Sequence, residues 1–215
     1  MLIHYCLMKI PSLSDAQSFL VEAEKRNPGP WVGHSLSAAR AAQSIAGHHP
    51  GFHSESAYIL GLIHDIGRGT GVSDMHHVLD GYYFLAQMGY EDAARICITH
   101  SFPLKNIHAV EGEWDCTAAE LEFIQDYLDR IEFNEYDRLI QLCDAIALPE
   151  GYCLMEKRFV EVALRHGVHE YTFQRWRAYL QIQSDFEEML GESIYSLLPG
   201  VEDNTFRIQI LPVEE

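Results

Sequence analysis

The chain has 215 residues, 47% of them hydrophobic, which suits one domain with a packed core and excludes a disordered polymer. Its 15 basic residues are outnumbered by 32 acidic ones, a net charge of -17; this argues against a large nucleic-acid partner but leaves room for a small phosphorylated one held by a metal or a few local cations. Five cysteines, an odd number with no C-x-x-C pair, point to reduced thiols and away from a disulfide framework.

The N-terminal segment MLIHYCLMKI carries no basic region and no small-residue cleavage site. No uncharged apolar run approaches the roughly 18–20 residues of a membrane span. A cytoplasmic protein without a membrane partner is therefore expected, and the sequence gives no guide to its oligomeric state.

The first ten residues have a strand-like pattern. Ser12 and Ser14 cap a helix over 12–26, which Asn27-Pro28-Gly29-Pro30 breaks. Helices are predicted over 31–46 and 55–66, on either side of a His-, Pro- and Gly-rich loop. The second stops at Gly67-Arg68-Gly69-Thr70-Gly71. That turn is not a P-loop, because no Lys-Ser/Thr follows, and it succeeds a helix where a dinucleotide fold would have a strand. Further helices are expected near 75–88, 91–100, 117–131, 135–147, 152–166 and 170–190. The acidic residues between 111 and 135 read as a solvated face. Phe206, Ile208 and Ile210 alternate with Arg207 and Gln209, a strand pattern over 204–211 that can pair with residues 2–8. The prediction is an all-α bundle with, at most, a small terminal β pairing.

On these helices a few polar residues sit on apolar faces. His34 shares a face with Ala38, Ala41 and Ile45; His64 with Ala57, Leu60 and Gly61; His77 with Gly81 and Phe84; His100 with Ala93, Ile96 and Cys97; Asp144 with Ile140, Ala147 and Leu148. A lone inward histidine is ordinarily a satisfied core residue. A buried carboxylate is costlier, by several kcal/mol unless paired or metal-bound. Inward His and Asp residues on five different helices are answered together by one metal site. Asp65 follows His64 at a helix end, where both can turn to one ion. Imidazole and carboxylate ligands suit Fe, Mn, Zn, Co or Ni, without choosing among them.

The pattern H…HD…D, here His34, His64-Asp65 and Asp144, resembles the HD superfamily of metal-dependent phosphohydrolases. The surrounding segments WVGHSLSAARAA, LGLIHDIGRGTG and YDRLIQLCDAIALPEG carry the resemblance over residues 31–165, leaving 166–215 as a helical extension and tail of one HD-type domain. HHVLDGYYFLAQMGY and ARICITHSF extend it to the binuclear members, placing His77 and His100 as ligands, with His76 as the alternative to His77. No GYP segment follows HDIGR, which disfavours a cyclic-dinucleotide phosphodiesterase.

The resemblance implies one or two divalent transition-metal ions. His34, His64 and Asp144 would hold one, His77 and His100 a second, and Asp65 would bridge. A metal-activated water would attack a small phosphorylated substrate, with a nucleotide expected, and with Asp65 and Arg68 as catalytic residues and Arg68 on the phosphate. Lys105 and Arg158 are lesser candidates for that contact. Ser101 lacks any Ser-His-Asp arrangement. The same ligand set also fits a di-iron oxygenase or a non-catalytic metal-binding sensor.

Overall fold

The computed structural model describes residues 8–206. Helix α1 (Leu13–Arg26) opens at Ser12, whose hydroxyl accepts from the Asp15 amide. Helix α2 (Pro30–Gly47) places proline in its first turn, where no amide donor is lost. Helix α3 (Ser54–Ile63) is capped by His53, whose Nδ1 accepts from the Ser56 amide. Helices α2 and α3 approach closely because Gly61 lies against Ala39; a Cβ at position 61 would stand 2.7 Å from the Ala39 Cα.

A 3-10 turn (Ile66–Thr70) follows, then α4 (His77–Ala86) and α5 (Glu91–Thr99). Helices α6 (Ala118–Arg130) and α7 (Glu135–Ile146) each begin with a reciprocal capping box, Thr117 with Glu120 and Asn134 with Asp137. Beyond α7 a short hairpin pairs β1 (Ala147–Leu148) antiparallel with β2 (Gly151–Tyr152), Ala147 opposite Tyr152. Helices α8 (Met155–His166) and α9 (Thr172–Leu190), a 3-10 turn (Ile194–Leu197) and α10 (Val201–Phe206) complete the described chain. The all-helical expectation holds.

Three details differ. The β pairing observed is the hairpin after α7, which two-residue strands leave without a readable period. Residues 204–206 belong to α10, where a strand was expected; α10 starts after Gly200, has Glu202 and Asp203 in its first turn, and gives Thr205 to the Leu154 amide. The rest of that expected strand, and residues 2–7 of the 2–8 segment with which it was to pair, lie outside the described residues. The acidic stretch is not uniformly a solvated helix face: Asp115 accepts from the amides of Asp74 and His76, and Glu111 is a cleft residue.

The main core lies among α1, α2, α3, α7 and α9, with Ala38, Ala41, Ile45, Leu60, Leu142 and Phe186 buried. A second cluster, including Val78, Leu79, Ile98, Phe102, Ile124 and Leu128, fills the space under α4, α5 and α6. Between them runs a buried polar network on α7. Asp137, fully buried, takes Nε of Arg95 at 3.0 Å and the Thr99 hydroxyl at 2.7 Å. Gln141 donates to the carbonyls of Thr99 and Phe102 at 2.8 and 3.2 Å. These bonds fix the end of α5, which carries His100. Among the described residues no helix is long and apolar enough to cross a membrane.

Candidate metal centre

Each proposed ligand stands at or near the end of an element, and the ends converge. His34 lies one turn into α2; His64 terminates α3 and Asp65 begins the 3-10 turn; His77 opens α4; His100 closes α5; Asp144 is in the last turn of α7. His34 Nε2 is 2.8 Å and His64 Nε2 3.6 Å from Asp144 Oδ1. On the other side, His77 Nε2 is 3.1 Å and His100 Nε2 3.5 Å from Asp65 Oδ1. The imidazole rings of His64 and His100 lie edge to face, 4.9 Å apart, and join the two halves. Three overlapping sets have ligand atoms close enough to share an ion: His34, His64 and Asp65; His64, His100 and Asp144; Asp65, His77 and His100.

All four imidazoles use the same device. Nδ1 of His34 faces the Ala147 carbonyl, that of His64 the Gly61 carbonyl, that of His77 the Asp74 carbonyl and that of His100 the Ile96 carbonyl. A carbonyl only accepts, so each Nδ1 carries the proton, and each Nε2 presents a lone pair inward. Lone pairs then face carboxylate oxygens. Two of these atoms, His64 Nε2 and Asp65 Oδ1, are buried with no hydrogen-bond partner. Such orphans are costly unless a cation sits between them. Nitrogen and oxygen donors of this kind fit a divalent transition metal.

The charges agree. Burial disfavours an ionised Asp65, but Arg68, His77 and His64 hold its carboxyl well below the usual carboxylate range. Burial likewise opposes ionisation of Asp144, and the neighbouring His34 and His64 overcome it in the same direction. Burial pushes His100 down, towards the neutral form a ligand needs. Arg68 Nε donates to Asp65 Oδ2 at 2.7 Å.

The Gly-rich turn is fixed from both sides. Asn27 donates to the carbonyls of Arg68 and Gly71, and Arg26 to that of Gly69. A Cβ on Gly67 would stand 2.0 Å from the His77 carbonyl oxygen, so glycine is what lets the turn lie against α4.

His34, Asp65, Arg68, His77, His100 and Asp144 line one cleft of about 640 Å³, and His64 sits beneath it. His76 is directed elsewhere, its ring nitrogens 3.1 Å from Asp80 and 3.3 Å from Glu120, so His77 is the residue brought to the centre. Lys105 is tied to the Ile131 carbonyl and does not line the cleft, whereas Arg158 does. Sequence reasoning missed Glu111 and Arg175. Arg175 reaches back from α9 to donate to the carbonyls of Ser101 and Ala109 and stands 3.8 Å from Glu111. No periodicity marks such a contact; only the fold brings α9 over the residue after His100.

Comparison with protein families matches residues 31–148 to the HD domain, over half of the chain and with all six converging residues inside it. Searches of curated proteins and of solved structures found no match. With the family match covering the same residues that the fold draws into one buried His/Asp cluster, the chain belongs to the HD domain family, a superfamily of metal-dependent hydrolases.

Proposed function

We propose that the protein is a phosphohydrolase that cleaves a phosphate ester or anhydride of a small molecule, a nucleotide being the leading class, with His34, His64, Asp65, His77, His100 and Asp144 as metal ligands. The observation that carries this reading is the pair of buried, partnerless atoms, His64 Nε2 and Asp65 Oδ1, in the middle of inward-facing imidazoles and carboxylates. Bound there, a divalent ion such as Mn, Fe, Zn, Co or Ni supplies Lewis acidity, which acidifies water towards neutral pH and draws charge from a phosphoryl oxygen.

The chain's own residues do the rest. The four backbone carbonyls hold the imidazoles in one tautomer, so no ligand has to reorient. Asp65 faces His77 and His100 through Oδ1 and Arg68 through Oδ2, which supports reading it as a carboxylate that the two ligand groups would share. Arg68 lines the cleft beside it, and its guanidinium offsets charge on the phosphoryl oxygens. The free thiols Cys97, Cys116, Cys143 and Cys153 suit a reducing compartment, and we place the protein in the cytoplasm.

The test is metal analysis of protein purified without chelator or nickel, with anaerobic phosphate-release assays on a nucleotide panel. One or two ions per chain with turnover in the absence of O₂ are expected. Asp65→Ala should abolish both while the helical circular dichroism persists. Turnover that requires O₂ would replace the hydrolase by an oxygenase, and an Asp65→Ala variant with full metal content and activity would overturn the ligand set.

A further inference from the structure

The family match ends at Leu148, yet part of the cleft wall comes from beyond it. Arg158, Glu161 and Arg165 are spaced three, four and seven apart on α8, hence on one face, and all three line the cleft with the neighbouring His166. The two guanidinia are poorly compensated. Arg158 has its Nε buried with no partner and meets Glu161 only at 3.4 Å through Nη1. Glu161 is also shared with Lys157 at 3.9 Å. Arg165 has no hydrogen bond or ion pair among the described residues; burial and the nearby Arg158 push its guanidinium down and outweigh Glu161, which raises it.

The other lining carboxylates do not supply one. Asp74 accepts from the Glu113 amide, and Glu111 faces Arg175 and His169. Glu150, on the hairpin turn, is exposed to water and screened by it. A face with surplus positive charge, on a chain of net charge -17, turned into the cleft of a metal centre, is suited to an anion. Guanidinium forks recognise phosphate and carboxylate in two-pronged fashion.

We propose that α8 forms an anion subsite of this cleft, in which Arg158 and Arg165 bind a second anionic group, phosphate or carboxylate, of a substrate whose scissile phosphoryl group sits at the metal centre. The substrate class is thus a small molecule with two separated anionic groups. Arg158 lies deeper, its side chain 19% exposed, and Arg165 stands at the rim, so the second group enters past Arg165 and settles on Arg158. The assignment of the scissile group rests on the phosphohydrolase reading; the subsite itself is read without turnover.

The experiment is calorimetric titration of pyrophosphate into chelator-treated full-length protein, at low and physiological salt, for the wild type, Arg165→Gln, Arg158→Gln and Arg68→Gln. Binding that weakens with salt, falls about tenfold in Arg165→Gln and further in Arg158→Gln is expected, as for the loss of charge-assisted contacts. Arg165 is exposed, so its variant should melt as the wild type does, and Arg165→Lys should recover part of the affinity. No pyrophosphate binding by the wild type, equal affinity in wild type and Arg165→Gln, or a loss confined to Arg68→Gln would each overturn the subsite. Because no metal is present, these results stand apart from the hydrolase test: inactivity in that assay with intact Arg165-dependent binding removes the reaction and leaves the subsite.

Discussion

Replacing Asp137 by alanine strands a half-buried cation and so measures how firmly α7 holds the end of α5. Asp137 is fully buried and accepts from Arg95, from the Thr99 hydroxyl at 2.7 Å and from the Asn134 amide at 2.7 Å. Removing one partner of a buried ion pair costs about 3–5 kcal/mol. The Arg95 side chain is 20% exposed and recovers some hydration, which selects the lower end, about 3 kcal/mol. The buried Thr99 hydroxyl loses its acceptor for about 1 kcal/mol more. A total near 4 kcal/mol lowers the melting temperature by about 8–16 °C, at roughly 2–4 °C per kcal/mol for a domain of this size. Urea unfolding followed by circular dichroism, in chelator so that metal does not mask the loss, checks the figure. A loss below about 1 kcal/mol would refute the reasoning. The paired change Arg95→Met with Asp137→Leu removes the stranded charge and should recover part of the loss; a double variant as damaged as the single would show that the ion pair was not the source.

Three other outcomes are expected. Chelation should lower the melting temperature if the cluster holds a metal, since an ion at 100 times its Kd contributes about 2.7 kcal/mol of stability; a fluorimetric melt with and without added Mn²⁺ reads this, and identical curves count against a metal centre. Gly67→Ala drives a Cβ into the His77 carbonyl and the Gly81 amide nitrogen, both main chain, so α4 must shift; metal content should fall while helical content stays, and undiminished metal would show that the turn tolerates the displacement. Arg175→Ala leaves the Ser101 and Ala109 carbonyls without their donor and should cost about 1–3 kcal/mol in urea unfolding; an unchanged midpoint would mean that water replaces the guanidinium without loss.

The buried His/Asp cluster was legible because its residues break a pattern. His34, His77, His100 and Asp144 interrupt apolar helical faces, and an interruption on a 3.6-residue period is visible in one sequence. His64-Asp65 was legible from the glycine turn that ends α3, which is why two adjacent side chains can serve one site. Glu111 was not, because it opens a run of acidic residues and only its contact with α9 distinguishes it from them. Arg165 looks like any basic residue in the last turn of a helix until the cleft is seen beside it. The hairpin after α7 escaped because each strand has two residues, too few for alternation to register. Residues 204–206 were read as the start of a strand from apolar residues that lie mostly outside the described chain.

The carbonyl anchors of the four imidazoles have a consequence for how this site can change over generations. A side-chain anchor is lost when its residue is replaced by one without the same polar group. The anchors here are main-chain oxygens of residues 61, 74, 96 and 147, which every amino acid carries. Drift at those four positions can alter packing but leaves the oxygen that orients each ring in place. The geometry of the four imidazoles is thereby inherited from the path of the backbone, and what remains open to sequence variation is the wall of the cleft around them.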